Sequence, residues 1–147
     1  MGNAGDSGRL PGVSLVLSTM TQVLELMSTN LVTVDPSASI MEGVALMARH
    51  SIGSLLVMKE GALVGIFTER DVTRALTQER IDLGRVAPVS NWMTAHPLTI
   101  RPETKAKEAL TLMVENGFRH LPVSDGQEVV GILSIRDVGD LVIEGLE

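Results

Sequence analysis

The chain has 147 residues, a formal net charge of −6 and no cysteine. Its negative charge disfavours non-specific binding to nucleic acid or to an anionic membrane, and the lack of cysteine excludes disulfides and thiol chemistry. The longest apolar stretches are only strand-sized and no signal peptide is evident, so we expect no membrane span and predict a cytoplasmic location.

In chain order, the first half of the sequence predicts a strand-helix-strand-strand-helix unit. Residues 1–12 are rich in glycine and are predicted to be a disordered tail, and residues 13–78 are assigned to the first repeat. Ser39 and Glu42 have the spacing of a capping box, which marks the start of a helix. The predicted elements are the strand Val13–Leu17, the short helix Gln22–Met27, the strand Leu31–Val34, a helix after Ser39, the strands Leu55–Met58 and Leu63–Phe67, and a helix from Thr68 to about Gln78.

The second half repeats this order after a polar linker at residues 79–88. The second repeat is assigned to residues 89–147. Its predicted elements are the strand Leu98–Ile100, a helix Lys105–Glu115 capped by Thr104, the strands Leu121–Val123 and Val129–Leu133, and a last helix opened by Ser134.

The two units are copies of one sequence. A shift of 66 residues places residues 23–72 on residues 89–138 without a gap, and 15 of these 50 positions are identical. Units of about 55 residues are too small to bury a core alone, so the two are expected to fold as one body. The prediction is an α/β (α+β) fold of tandem β-α-β-β-α repeats, packed about a pseudo-twofold axis with two related clefts between them.

Each unit carries the same motif where its last strand meets its last helix. In the segments from Gly65 to Asp71 and from Gly131 to Asp137, a hydroxyl residue lies three positions after the glycine and an aspartate lies six positions after the glycine. Unpaired N–H groups at the start of a helix favour an anion, and the aspartate could accept hydrogen bonds from sugar hydroxyls. Helix capping by Thr68 and Ser134 explains the same pattern, so both interpretations stay open.

The gapless repeat, the Val-Gly-Ile-(Phe/Leu)-(Thr/Ser)-x-Arg-Asp-Val segment of both units and the Leu-Pro-Val strand together resemble a CBS-domain pair, also called a Bateman module. The resemblance runs from about residue 20 to about residue 145 and is to the small stand-alone members. It implies a homodimer of such pairs and adenosine-containing ligands in the clefts between the repeats. No cofactor would be obligatory; AMP, ADP, ATP or S-adenosylmethionine would act as the regulatory ligand.

The same resemblance implies which residues would bind that ligand. Each repeat would contribute a ribose-binding carboxylate, a hydroxyl next to the phosphate and a threonine of the first strand. These roles fall on Asp71 and Asp137, on Thr68 and Ser134, and on Thr33 and Thr99, respectively.

The two copies differ where the charge of a ligand would matter. Arg119 and His120 replace Gly53 and Ser54 of the first unit, and in family members with a basic pair here these side chains reach phosphates. The alternative is a solvated surface pair.

A second charge difference lies in the last helix of each unit. Arg136 is a further phosphate candidate, although an arginine on an exposed helix is often only solvated. Glu69 would repel a phosphate, whereas its counterpart Ile135 would not. We therefore expect two unequal sites.

The leading hypothesis is a non-enzymatic sensor that relays binding of an adenosine ligand to an unknown effector protein. A structural dimerisation or interaction module with empty clefts is the alternative. An enzyme is disfavoured because the sequence has no Gly-x-Ser-x-Gly motif, no phosphate loop ending in Gly-Lys-(Ser/Thr) and no paired metal ligands. A metal site and a nucleic-acid partner are not expected.

Overall fold

The computed structural model describes residues 20–78 and 87–139. The predicted tail, the predicted strand Val13–Leu17 and most of the predicted linker lie outside these ranges. The elements are β1 (Thr33–Val34), α1 (Ile40–His50), β2 (Ser54–Lys59), β3 (Ala62–Thr68), α2 (Glu69–Gln78), β4 (Thr94–Ala95), α3 (Ala106–Asn116), β5 (His120–Ser124) and β6 (Val129–Ser134), with helical residues 135–139 at the end. The β-α-β-β-α order is thus present, and the predicted α+β class is confirmed.

The sheet of the first half has four strands in the order β1-β2-β3-β4, of which β4 comes from the start of the second repeat. Strand β1 is parallel to β2, and the other two pairings are antiparallel. Strand β4 was not predicted, and the predicted helix at residues 22–27 is only the 3-10 turn Val23–Glu25. The predicted strand Leu31–Val34 is likewise reduced to its last two residues.

The sheet of the second half has the same plan with fewer hydrogen bonds. Strands β5 and β6 are antiparallel, and the predicted strand Leu98–Ile100 is reduced to a single parallel bridge between Ile100 and Val123. In the first half, the N–H of Leu56 donates to the carbonyl of Val32 at 3.2 Å. The counterpart of Leu56 is Pro122, which has no N–H, so this hydrogen bond is lost and the strand does not extend.

Each half has its own aliphatic core, and each core takes residues from the start of the other repeat. The first core contains Phe67 and Leu55 and is completed by Val89, whereas the second contains Met113 and Leu133 and is completed by Val23. Backbone hydrogen bonds hold the exchanged segments, from the N–H of Val23 to the carbonyl of Thr104 (2.8 Å) and from that of Val89 to Ala38 (2.8 Å). The two repeats are therefore interlocked.

The glycine of the repeated motif lies where the exchanged segment crosses the sheet. A Cβ atom at Gly65 would meet the side chain of Met93 and come within 3.1 Å of the carbonyl oxygen of Thr94. At Gly131 the same atom would meet Met27 and approach the carbonyl oxygen of Ser28 to 3.0 Å. The close approach that this glycine permits is thus made by the protein's own chain.

The two helices that follow the first strand of each repeat begin differently. The predicted capping box of α1 is confirmed, because the Glu42 N–H donates to the Ser39 Oγ and the Ser39 N–H donates to a Glu42 carboxylate oxygen, both at 3.0 Å. The prediction that Thr104 caps α3 is wrong. The N-cap is Lys105, the counterpart of Ser39, whose ammonium group has no acceptor and makes no capping bond.

This difference predicts unequal effects of two alanine substitutions on stability. Ser39→Ala removes a side-chain cap and is expected to lower the free energy of unfolding by about 1 kcal/mol. Thr104→Ala removes no cap and is the matched control, expected to change it by less than about 0.5 kcal/mol. Urea unfolding followed by circular dichroism measures both, and equal losses would contradict the assigned N-caps.

Candidate functional site

Two clefts lie between the halves and are related by the pseudo-twofold repeat. The first cleft, of about 340 Å³, is lined by the start of α2 and by the turn from α3 into β5. The second cleft, of about 900 Å³, is lined by residues 134–137 on one side and by residues 51–54 and part of α1 on the other. Both volumes fall within the range of small-molecule sites, and each cleft has walls from both repeats.

In the first cleft, the motif aspartate is fully engaged by the protein. Asp71 is only 4% exposed. One carboxylate oxygen accepts hydrogen bonds from the backbone N–H of Thr68 (2.9 Å) and from its hydroxyl (3.2 Å). The other oxygen accepts a hydrogen bond from Nη1 of Arg74 at 2.7 Å. Burial raises the pKa of Asp71, against the opposing effect of these hydrogen bonds and of the Arg74 charge.

In the second cleft, the motif aspartate has fewer partners. One oxygen of Asp137 accepts the backbone N–H of Ser134 at 3.1 Å, and the Ser134 Oγ accepts the N–H of Asp137 at 3.3 Å. Within the described residues, the other carboxylate oxygen has no hydrogen-bond partner. Both the capping interpretation and the ligand interpretation of this motif are therefore compatible with the geometry.

Arg74 is the residue that the sequence analysis missed. It lines the first cleft, and its guanidinium carbon lies 5.3 Å from the centre of the Trp92 ring while Nη1 binds Asp71. The spacing of Asp71 and Arg74 is i,i+3 on a predicted helix, which places opposite charges on one face. That spacing was the available signal in the sequence.

Four residues line both clefts at the centre of the molecule: Gly53, Glu69, Arg119 and His120. Arg119 is exposed in the turn before β5, and His120 is half-buried at the first position of that strand. The predicted basic pair thus lies beside both clefts and next to the carboxylate of Glu69.

Burial has the largest effect on the protonation of His120. Its pKa lies below the usual value of 6.5, chiefly because burial disfavours the charged imidazolium, which the carboxylates of Glu69 and Asp137 only partly offset. The Arg119 charge acts in the same direction as burial. At neutral pH we therefore expect His120 to offer a hydrogen bond to a ligand, with the fixed positive charge supplied by Arg119.

This lowered pKa predicts how stability depends on pH. As the pH falls below about 6.5, the unfolded chain takes up a proton at His120 before the folded protein does. The free energy of unfolding that is present above this pH is therefore lost as the pH falls through the pKa of His120 in the folded protein. We expect His120→Gln to lose less stability than the wild type between pH 7 and pH 5. Urea unfolding at several pH values measures this, and parallel profiles of the two proteins would contradict it.

The remaining predicted site residues lie at different distances from the clefts. Arg136 is exposed and lines the second cleft, and Thr68 and Ser134 line the first and second clefts, respectively. Thr33 and Thr99 are exposed and are not among the lining residues of either cleft; their neighbours Val32 and Leu98 line the second and first cleft instead. A cleft role for the two threonines stays a prediction.

Across residues 20–78 and 87–139, no group of three or more histidine, aspartate or glutamate side chains is placed to hold a metal ion. In the same ranges, no helix combines the length and the apolar character that a membrane crossing requires.

Comparison with known proteins agrees with this arrangement. The chain is 33% identical over 119 residues to the CBS domain-containing protein YhcV of Bacillus subtilis, covering 81% of this chain and 84% of the relative. A solved CBS domain pair of protein MJ0100, in complex with 5-methylthioadenosine and S-adenosyl-L-methionine, matches with a TM-score of 0.75 at 28% identity, covering 84% of this chain and 96% of that one.

A second solved structure, CBSX2 in complex with AMP, matches with a TM-score of 0.69 at 28% identity, again covering 84% of this chain and 96% of that one. The family model of the CBS domain matches twice, at residues 23–78 and 89–144. These matches start at Val23 and Val89, the residues that complete the two cores. The chain is a CBS-domain pair and belongs to the CBS domain family.

Proposed function

We propose that this chain is a non-enzymatic regulatory module that binds an adenosine-containing ligand in the clefts between its two CBS repeats. AMP, ADP, ATP and S-adenosylmethionine are the candidate ligands. The AMP complex of CBSX2 and the adenosine-compound complex of MJ0100, both similar in fold and sequence, support this choice.

The observation that carries the proposal is the pairing of a hydroxyl and a carboxylate in a cleft with a basic wall. Ser134 and Asp137 line the second cleft together with Arg119 and Arg136. A carboxylate accepts hydrogen bonds from the two hydroxyls of a ribose, and guanidinium groups bind phosphate through paired N–H donors. This donor and acceptor set matches a nucleotide that carries both groups.

The position of the clefts suggests how binding could be relayed. A ligand in either cleft would contact both repeats, and it would favour the packing of the repeats to which it binds more tightly. The interlocked segments around Val23 and Val89 connect this packing to both cores. We propose that the signal passes to an effector protein, and that the chain acts as a homodimer in a cytoplasmic setting.

A thermal-shift panel tests the proposal. The ligands are AMP, ADP, ATP and S-adenosylmethionine, with GTP as the control for the base. A ligand at 100 times its dissociation constant stabilises the native state by about 2.7 kcal/mol, which for a chain of this size raises the melting temperature by about 5–10 °C. We expect a selective rise with at least one adenosine compound. No rise with any of them would favour the ligand-free interaction module.

A further inference from the structure

The two clefts differ in whether the motif carboxylate is available to a ligand. Asp71 uses both oxygens within the protein, and its side chain is 6% exposed. Asp137 accepts a hydrogen bond from the described residues through one oxygen only, and it is more exposed than Asp71. A ribose hydroxyl that approaches Asp71 would compete with a charge-assisted hydrogen bond on a buried carboxylate, whereas one that approaches Asp137 would meet an oxygen that accepts no hydrogen bond from the described residues.

Arg74 is held in place on two sides. Its Nη1 lies 2.7 Å from Oδ1 of Asp71, and its guanidinium lies over the ring of Trp92. Trp92 belongs to the segment that packs on the first core, so the stacking surface is fixed by the fold. A planar guanidinium with both a carboxylate and an aromatic partner loses both contacts when it moves away.

The first cleft contains a second arginine that also contacts the protein. Nη1 of Arg70 lies 3.4 Å from the carbonyl oxygen of Gly117, across the cleft in the other repeat. Its counterpart Arg136 makes no hydrogen bond or ion pair with any of the described residues and lines the second cleft. Among the described residues, the second cleft therefore offers both a carboxylate oxygen and a guanidinium that no other group of the protein engages.

Sequence alone gives the second cleft no equivalent of the Arg74 contact. The shift of 66 residues places Asp140 opposite Arg74. Asp140 lies outside the described residues, but an aspartate cannot form an ion pair with Asp137. The central residues Glu69, Arg119 and His120 line both clefts and so do not favour one over the other.

We infer that this chain binds one adenosine ligand, in the second cleft, and that Arg74 blocks the first cleft by occupying the carboxylate of Asp71. The inference rests on the proposed function and adds the number of ligands bound, the cleft in which the ligand binds and the residue, Arg74, that determines both. Asp137 is the ribose acceptor, Arg136 the free cation for a phosphate, and Arg74 an internal competitor for the ligand.

Isothermal titration calorimetry with AMP on the whole chain tests the location. The wild type is expected to bind one AMP per chain. Asp137→Asn is expected to weaken binding about tenfold or more, because it removes a hydrogen bond to a charged group, and Asp71→Asn is expected to leave the affinity within about threefold. Circular dichroism melts establish that each variant is folded.

Arg74→Met tests the blocking role, because methionine keeps an unbranched stem and removes the guanidinium. We expect a second AMP to bind, which raises the stoichiometry from one to two. Arg136→Met is the control, because it removes the cation of the second cleft instead, and it should weaken binding without adding a site. This arm does not depend on the folding of the Asp71 variant.

Three results would overturn the inference while the proposed function stands: two equal sites in the wild type, loss of binding in Asp71→Asn but not in Asp137→Asn, or a stoichiometry of one in folded Arg74→Met. A different pattern tests the proposed function itself. No heat with AMP, together with no shift in the thermal panel, would overturn the proposed function and the inference with it.

Discussion

Replacing Val23 by aspartate is expected to destabilise the core of the second half of the molecule, although Val23 belongs to the first repeat. Its side chain is 0% exposed and lies in the second core with Met113 and Leu133. An uncompensated carboxylate there has no partner, and we expect the free energy of unfolding to fall by about 3 kcal/mol or more. Urea unfolding, monitored by circular dichroism, measures the loss.

The neighbouring residue provides the control for this substitution. Leu24 is 46% exposed in the same 3-10 turn, so Leu24→Asp adds the same charge at a solvated position. We expect its free energy of unfolding to stay within about 0.5 kcal/mol of the wild type. Similar losses in the two variants would contradict the exchange of segments between the repeats.

Phe67→Ala is expected to destabilise the first core by about 3–5 kcal/mol. The ring is fully buried, and it packs against α1 because Gly43 has no side chain; a Cβ there would lie 3.0 Å from the ring. Chemical unfolding of the purified variant measures this loss. A change below about 1 kcal/mol would mean that the ring is not part of the core.

The second half has the complementary pair of sizes. The counterparts of Gly43 and Phe67 are Ala109 and Leu133, both 0% exposed in the second core. In the first half glycine faces phenylalanine, and in the second half the larger alanine faces the smaller leucine. We therefore expect Gly43→Ala to lower the free energy of unfolding less when it is combined with Phe67→Leu. Additive effects of the two substitutions would show that their volumes are not coupled.

Much of this fold follows from patterns that the sequence displays. The gapless repeat predicts the pseudo-twofold arrangement because two copies of one sequence fold alike, and the Ser39 and Glu42 spacing predicts the start of α1 because helix capping is local. Pairing between distant segments is harder to predict. Nothing near Val23 indicates that it completes the core of the other repeat, since its apolar side chain would suit either core.

The errors have local causes as well. The sequence Leu-Thr-Ile at residues 98–100 resembles a strand, but the partner strand has Pro122 where a backbone donor is needed. Thr104 has the right chemistry for an N-cap, but the helix begins one residue later, after Lys105.

The candidate site was predicted in part. The repeated motif indicates the hydroxyl and carboxylate pairs, and these line the two clefts. Arg119, His120 and Glu69 predicted unequal clefts, yet these three residues line both clefts. The structural asymmetry instead comes from Arg74, whose contact with Asp71 depends on side-chain orientation and on Trp92, a distant residue.

A nuclear magnetic resonance titration of the 15N-labelled chain with AMP tests most directly whether the clefts between the repeats bind an adenosine ligand. We expect the backbone amides of residues 134–137 and 51–54, which line opposite sides of the second cleft, to shift together and to saturate at one AMP per chain. Shifts confined to surfaces outside both clefts, or no shifts at millimolar AMP, would contradict binding in the clefts.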